Sequence, residues 1–397
     1  LDGPSMFAPF LLHGVTGSGK TEVYLRSIAK VLEAGRQALV LVPEIALTPQ
    51  LVTRFRSWFQ NHGVRLAVLH SGLSDGERYD AWRQVARGDV DVVIGARSAV
   101  FAPLPELGLI VVDEEHDGSY KQSEGFRYNA RDLALMRGQM EEAVVILGSA
   151  TPVLTSYQRS LGGQLTHLEL PERTAERPLP EVLLVDLSQH EGESQLSEPL
   201  QSAMAEALAA GEQALLLLNR RGYAPFLLCH DCGAALRCPN CDITLTYSQV
   251  QSSLRCHYCD FHMRPPESCD RCSGVRLLPE GMGTERLEEE IRELFPEARV
   301  ARMDRDTTSR KGAHHRLIEQ MSAREIDVLI GTQMIAKGHD FPAVTLVGVL
   351  NADTALNLPD FRSAERVFSL LSQVAGRAGR GDRPGRVMIQ TLSLIHI

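Results

Sequence analysis

Eight consecutive residues near the start of the chain have the spacing of a phosphate-binding loop. They fit the pattern G-x-x-x-x-G-K-[ST], follow an apolar run and open a helical pattern, which is the context such a loop requires. The glycines allow backbone N–H groups to surround a β-phosphate, Lys20 brings a positive charge to the β and γ oxygens, and Thr21 offers a hydroxyl to Mg²⁺. The predicted nucleotide contacts are Gly14, Val15, Thr16, Gly17, Ser18, Gly19, Lys20 and Thr21.

A second chemical group stands directly after a strand-like apolar run at residues 109–112. Asp113, Glu114, Glu115 and His116 follow this run, and a strand of this kind delivers carboxylates to the sheet edge where a nucleotide-bound Mg²⁺ lies. We predict that Asp113 holds the metal shell and that Glu114 orients and deprotonates the attacking water. His116 either links this site to the next motif or has a structural role.

Two arginines in the second half of the chain are candidates for stabilising the departing phosphoryl group. Arg377 and Arg380 lie three residues apart and can project from one face of a helix end, and Gln373 opens the same run. An isolated R-x-x-R would favour a solvated turn at a helix C-terminus. The complete phosphate site in the first half favours the catalytic interpretation.

All cysteines fall in four C-x-x-C pairs within residues 229–272. Each pair can supply two thiolates to one ion, so four pairs predict two structural Cys₄ zinc sites. Spacing alone allows three ways of combining the pairs, although the 14 residues between Cys241 and Cys256 suit a ribbon loop. The predicted ligands are Cys229, Cys232, Cys238, Cys241, Cys256, Cys259, Cys269 and Cys272.

Residues 119–131 interleave basic and aromatic side chains, the composition of a loop on which bases stack and phosphates are bound. The loop begins three residues after His116, so DNA could influence the hydrolytic residues directly. Alternatively, the rings simply pack beneath the loop. The predicted contacts are Tyr120, Lys121, Phe126, Arg127 and Tyr128. Further candidates, which could equally cap a sheet edge, are Arg97, Ser98, Thr332, Gln333 and Lys337.

Short apolar runs alternate with amphipathic helical patterns on both sides of the cysteine-rich segment. Such runs predict an α/β chain with parallel sheets buried on both faces. The first series covers about 165 residues, and residues 161–195 are polar and proline-rich, which predicts the connection between two domains. The second series surrounds the cysteines, which therefore form an inserted module.

The composition excludes a disordered or fibrous chain, because 44% of its 397 residues are hydrophobic and 23% are charged. A net charge of −9 means that nucleic acid would be bound through local patches. We expect a soluble cytoplasmic protein without membrane contact, because no apolar run approaches the ~18 residues of a span and no secretory leader is present. The first residue is Leu1, and we expect the chain to be a piece of a longer protein.

Together these motifs resemble those of superfamily 2 helicases. The cysteine module and residues 42–50 are similar in particular to the bacterial primosomal replication-restart helicases, and the resemblance extends over residues 11–391. The other segments that carry it are residues 95–99, 113–116, 148–152, 219–223, 331–338 and 373–380.

The resemblance implies two RecA-like P-loop domains, the second with the zinc insertion. It places the ATP-binding domain at residues 1–165, a linker and the start of the second domain at 166–228, the zinc module at 229–272, the remainder of the second domain at 273–391 and an unassigned tail at 392–397. It also implies that the outer cysteine pairs bind one zinc ion and the inner pairs the other. An N-terminal DNA-binding region and a C-terminal domain of the family are expected to be missing.

The implied activity is ATP-dependent 3′ to 5′ DNA unwinding in replication restart and primosome assembly at stalled forks. ATP, Mg²⁺ and two Zn²⁺ are the implied cofactors, and single-stranded or forked DNA and primosome proteins are the implied partners. The alternatives are a DNA-stimulated ATPase or translocase, or a primosome scaffold, neither of which separates strands.

Overall fold

The chain divides into two units, Leu1–Glu176 and Arg177–Ile397, in the computed structural model. The residues that the structure describes are 7–43, 48–59, 63–70, 72–173, 179–189, 194–218, 226–248, 252–280, 284–304, 307, 313–332, 335, 341–357, 360–379 and 383–392.

The first unit is built on a parallel sheet. Its strands in the described ranges are β1 (Ala8–Gly14), β2 (Gln37–Leu41), β3 (Leu66–Leu69), β4 (Val92–Gly95), β5 (Leu107–Val112), β6 (Val144–Ser149) and β7 (Thr166–Leu170). They lie in the order β3-β4-β2-β5-β6-β1-β7. Each neighbouring pair is parallel. This order makes β5, β6 and β1 neighbours, so their C-terminal ends meet at one edge.

Helices cover both faces of this sheet, as parallel strands require for their crossover connections. They are α1 (Lys20–Glu33), α2 (Thr48–Phe59), α3 (Asp75–Ala86), α4 (Ala130–Met140) and α5 (Leu154–Leu161). Every residue of β2 and β5 is buried. A separate hydrophobic core lies on each face, which explains why the central strands are continuous apolar runs.

The second unit contains another parallel sheet and the cysteine module. Its described strands are β8 (Glu181–Asp186), β9 (Gln213–Leu218), β10 (Phe226–Cys229), β11 (Thr246–Ser248), β12 (Ser253–Arg255), β13 (His262–Met263), β14 (Leu277–Glu280), β15 (Val300–Met303), β16 (Val328–Gly331), β17 (Val344–Leu350) and β18 (Arg386–Thr391). The parallel sheet has the order β15-β16-β9-β17-β18-β8. Its helices are α6 (Glu198–Ala209), α7 (Thr284–Leu294), α8 (Ala313–Ser322), α9 (Ala352–Leu356) and α10 (Ser363–Ala375).

The cysteine module leaves the second sheet after β9 and is antiparallel. Strand β10 pairs with β14, and β11, β12 and β13 form a small sheet. Its hydrophobic core is small and includes Leu227, Leu236, Leu245 and Leu254 beside two buried cysteines. A core of this size contributes little to the stability of the folded module by itself, so the module depends on cross-links between its segments to stay folded.

The predicted fold class, two α/β units with parallel sheets and an inserted cysteine module, is confirmed. Strand β7 (Thr166–Leu170), at one edge of the first sheet, lies within the segment expected to connect the domains and was not anticipated. Its residues are half-buried or exposed, so it lacks the apolar run that marks a central strand. None of the helices in the described ranges combines the length and apolar character that crossing a membrane requires.

Candidate active site and metal centre

The phosphate loop connects β1 to α1 at the C-terminal edge of the first sheet. Gly17 and Gly19 have φ values of 84° and 88°, a region that residues with a side chain adopt only at a cost. A Cβ on Gly14 would lie 2.5 Å from Ser18 Oγ. Lys20 donates from Nζ to the carbonyl oxygens of Gly14 (2.6 Å) and Val15 (3.3 Å). The glycines therefore permit the backbone conformation of the loop. The Lys20 ammonium group is held by carbonyl oxygens of the loop backbone.

Asp113 and Glu114 stand at the end of β5, in the same unit as this loop. Burial and the neighbouring Glu114 carboxylate raise the pKa of Asp113 to about 6, against the opposing effect of the Lys20 charge. Glu114 has a φ of 48°, which turns the chain sharply after the strand. Two adjacent carboxylates beside the phosphate loop are a donor set that fits a nucleotide-bound Mg²⁺.

Tyr24 orients Asp113 and was not identified from the sequence. Its side chain is buried, and its hydroxyl donates to Asp113 Oδ1 at 3.0 Å. A Cβ on Gly148 would lie 1.7 Å from this hydroxyl, so the position requires glycine. Tyr24 follows Lys20 by four residues on α1, and this helical spacing is the signal that could have revealed it.

His116 connects the carboxylates to the segment that follows β6. Its Nδ1 lies 2.7 Å from Ser149 Oγ and 3.6 Å from a carboxylate oxygen of Glu114. Ser149 Oγ also accepts a hydrogen bond from the Thr151 amide. The structure thus joins residues 113–116 to residues 148–152, which is the linking role that the sequence left open for His116.

Glu115, which the sequence analysis did not single out, has a buried carboxylate that joins three segments. It accepts hydrogen bonds from the Val153 amide (2.8 Å) and from Ser156 Oγ (2.9 Å), both at the start of α5. Its third partner is Arg131 Nη1, at 3.3 Å, in the first turn of α4. Arg131 closes the predicted DNA-coupling loop, so Glu115 connects that loop to the segment 113–116 that follows β5.

The predicted DNA-coupling loop places its aromatic rings in different environments. Tyr120 is 1% exposed, and its hydroxyl lies 3.0 Å from the Leu41 carbonyl oxygen and 2.6 Å from that of Asp113. The prediction that Tyr120 contacts DNA is therefore corrected, because its ring belongs to the core. Tyr128 packs on Phe101, with ring centroids 5.1 Å apart. Phe126 is 77% exposed.

The basic residues of the loop remain accessible, and a further arginine supports its backbone. Lys121 and Arg127 are exposed. Arg97 donates from Nη1 to the carbonyl oxygens of Ser119 (3.1 Å) and Lys121 (2.9 Å). Arg97 therefore supports the backbone of the loop and is not a separate DNA contact. Ser98 is exposed.

The candidate residues of the second unit lie at strand and helix ends. Gln373 is in α10, and Arg377 follows its end and is 8% exposed. Thr332 follows β16 and is half-buried. Arg380, Gln333, Lys337 and residues 219–223 lie outside the described residues.

The cysteines gather into two groups of four. Cys229, Cys232, Cys269 and Cys272 form one, and Cys238, Cys241, Cys256 and Cys259 form the other. This grouping is the one that the resemblance implies. The Sγ–Sγ distances that the structure gives across pairs are 3.6 to 3.8 Å. Four thiolates about 2.3 Å from a tetrahedral zinc ion are about 3.8 Å apart, so both groups fit one ion each.

The four C-x-x-C pairs form the same local turn. After the second cysteine of each pair comes a residue with positive φ: Gly233, Asp242, Asp260 and Ser273. The amide of that residue donates to the carbonyl oxygen of the first cysteine of its pair. Burial and neighbouring thiols raise the pKa of Cys232. Because crowded thiolates repel one another, a bound cation is needed to hold them together.

We expect Cys238→Ser to reduce tightly bound zinc, the zinc that remains after gel filtration into metal-free buffer, from two ions to one per chain. A serine hydroxyl is a poor zinc ligand, and the other cluster keeps its four thiolates. Zinc released on denaturation is measured with a metal-sensitive dye. His257→Ser is the matched control, because His257 lies inside a C-x-x-C pair but outside both clusters, and it should keep two ions. Two ions in Cys238→Ser would contradict the assignment.

Three family models match the chain. The model described as DEAD/DEAH box helicase matches residues 5–159, and the model described as Helicase conserved C-terminal domain matches residues 281–382. The model described as PriA DNA helicase Cys-rich region (CRR) domain matches residues 238–264. The three matches fall on the first parallel sheet, the second parallel sheet and the cysteine module.

Curated relatives match almost the whole chain. Replication restart protein PriA of Bacillus subtilis (strain 168) is 53% identical over 390 residues, which are 98% of this chain and 48% of the relative. The PriA protein of Synechocystis sp. (strain ATCC 27184 / PCC 6803 / Kazusa) is 50% identical over 97% of this chain and 48% of its own length. The chain thus spans about half the length of the curated relatives it matches.

Solved helicase structures share the fold at low sequence identity. The Mycobacterium smegmatis helicase Lhr, in a structure bound to ssDNA and AMP-PNP, has a TM-score of 0.56 at 16% identity, covering 98% of this chain and 44% of that chain. The fold, the two cysteine clusters and the relatives agree with one another, and the chain belongs to the PriA family of replication restart proteins.

Proposed function

We propose that the chain is the ATP-dependent motor of a 3′ to 5′ DNA helicase that acts in replication restart at stalled forks. The single observation that carries the proposal is a continuous set of contacts. These contacts join the carboxylate segment 113–115 to the loop at residues 119–131, on which Phe126 is exposed. Those contacts offer a physical path from DNA binding to ATP hydrolysis. The polarity and the fork substrate rest on the family.

The phosphate loop and the carboxylates would have different roles in ATP hydrolysis. Loop amides and Lys20 bind the phosphates, and Thr21 and Asp113 hold the metal. Glu114 orients a water molecule and accepts its proton. Mg²⁺, when bound, neutralises charge on the phosphate oxygens. Tyr24 keeps Asp113 in place through its hydrogen bond.

Gln373, Arg377 and Arg380 are proposed to respond to the γ-phosphate and to stabilise the departing group. Guanidinium groups are suited to this task because they remain charged and bind phosphate oxygens in a forked geometry. The assignment rests on the family resemblance.

The loop around Phe126 is proposed to bind single-stranded DNA. An exposed ring flanked by the exposed cations Lys121 and Arg127 combines a stacking surface with phosphate contacts. Tyr120 lies at the other end of the loop and touches the Asp113 backbone, while Arg131 touches Glu115. A shift of the loop on DNA would therefore move both ends of the carboxylate segment.

The cysteine module is proposed to hold two structural zinc ions and to contact primosome proteins or the forked DNA. A Cys₄ site has no open coordination position, so the zinc ions stabilise the module and do not take part in hydrolysis. Replication restart takes place on the bacterial chromosome, and the proposed location is therefore the cytoplasm.

The direct test is strand displacement from a forked DNA duplex. We expect displacement that requires both ATP and Mg²⁺, and we expect Lys20→Ala to lose it because the β- and γ-phosphates lose their cation. Lys30→Ala is the matched control, because Lys30 is an exposed lysine on the same helix. DNA-stimulated ATP hydrolysis without displacement would identify a translocase instead, and absence of ATP hydrolysis would leave only a scaffold.

We expect Phe126→Ala to weaken the DNA stimulation of ATP hydrolysis and to preserve the rate without DNA. Stacking on one ring contributes about 1–3 kcal/mol, so half-maximal stimulation should need roughly 5- to 150-fold more single-stranded DNA. ATP turnover is measured against the concentration of an oligonucleotide.

Two variants make this result specific. Tyr79→Ala removes an exposed ring outside the loop and should behave like the wild type. Tyr128→Ala should lower the thermal unfolding temperature, because its ring packs on the core. An unchanged DNA dependence in Phe126→Ala would show that the loop does not bind DNA.

A further inference from the structure

Three side chains of metal-binding type lie together at the edge of the first sheet, outside the residues assigned above. One ligand atom from each of His13, His167 and Glu169 lies within 4.8 Å of the others. His13 directly precedes Gly14, the first residue of the phosphate loop. We refer to these three residues as the histidine cluster.

Strand register places the cluster on one face of the sheet. His13 in β1 is paired with Glu169 in the parallel edge strand β7. His167 lies two residues before Glu169, and residues two apart on a strand point to the same side. The shared face is therefore a consequence of the pairing and does not depend on the rotamer of a single side chain.

The two imidazole rings are held by their surroundings. They are nearly parallel, with centroids 5.7 Å apart, and the Tyr157 ring of α5 stands edge-on to both. The His13 ring also hydrogen-bonds the backbone of Ala150. A hydrogen bond from the ring to a backbone carbonyl fixes the tautomer and the ring orientation of a histidine that binds a metal.

Among the described residues, one buried nitrogen atom of the histidine cluster lacks a hydrogen-bond partner. Nε2 of His167 is buried and has no hydrogen-bond partner within the described part of the chain, and the nearest Glu169 carboxylate oxygen is 3.6 Å away. That separation is too long for a good hydrogen bond, but it suits two ligands of one ion. A buried imidazole nitrogen that faces a carboxylate and a second imidazole is a ready ligand.

We propose that the histidine cluster binds a divalent transition-metal ion, with Zn²⁺ as the ion that best matches two imidazoles and a carboxylate. Such a set leaves a fourth position for water, so the ion exchanges more easily than one in a Cys₄ site. The ion joins β1 to β7 near their C-terminal ends, next to the phosphate loop, where the Val15 amide donates to the Leu170 carbonyl oxygen. Its expected effect is to stiffen the base of that loop.

The test is equilibrium dialysis of the whole chain, its two Cys₄ sites filled, against micromolar Zn²⁺. The wild type should bind a third zinc ion, and His167→Gln and Glu169→Gln should bind it at least about tenfold more weakly. The matched controls are His70→Gln and Glu172→Gln, a histidine and a carboxylate of the same unit outside the cluster, and both should bind three ions.

A second readout identifies the ligands. Co²⁺ added to zinc-filled protein should produce weak visible absorption bands without the intense thiolate charge-transfer bands, and His167→Gln should lose them. Because His167 and Glu169 lie on an edge strand, circular dichroism should show the same fold for both variants. The proposal is overturned if the wild type binds only two zinc ions, or if a third ion persists undiminished in both variants.

Discussion

The candidate site depends on a carboxylate that the fold has taken out of water. The Glu115 side chain is fully buried, and an unpaired charge in such a place would cost several kcal/mol. Its charge is offset by Arg131, by the Ser156 hydroxyl and by the Val153 amide. None of these groups is near Glu115 in sequence. The requirement to satisfy one carboxylate therefore fixes the relative positions of α4, α5 and the end of β5.

The order of strands in the first sheet explains how distant residues come together. Strands β5, β6 and β1 are neighbours, and they end in the carboxylates, Ser149 and the phosphate loop respectively. Because the strands are parallel, all three groups lie at the same edge. The sheet thus supplies the positions, while His116, Tyr24 and Glu115 connect the groups and set their orientation.

Motifs and apolar runs were enough to predict the fold class and to locate the candidate site in the sequence. The phosphate loop and the cysteine pairs have fixed local spacing, so the ligands that suit them can be inferred directly from the sequence. Contacts between segments were harder to predict. The burial of Tyr120 and the pairing of Glu115 with Arg131 arise from tertiary packing, which composition does not encode. Strand β7 was missed because an edge strand needs no apolar run, and the histidine cluster depends on that strand's register.

We propose that the Glu115–Arg131 pair transmits DNA binding at the loop to Asp113 and Glu114. The most direct measurement is ATP turnover by Glu115→Gln with and without single-stranded DNA, beside Glu124→Gln, an exposed acid of the same loop. The single oxygen of glutamine can still accept from the Val153 amide, and its NH₂ group can donate to Ser156 Oγ, but the charge that attracts Arg131 is lost. We expect Glu115→Gln to hydrolyse ATP at the wild-type rate without DNA but to lose its stimulation by DNA, while Glu124→Gln should behave like the wild type. Full stimulation in Glu115→Gln, or an equal loss with and without DNA, would show that Glu115 does not transmit DNA binding.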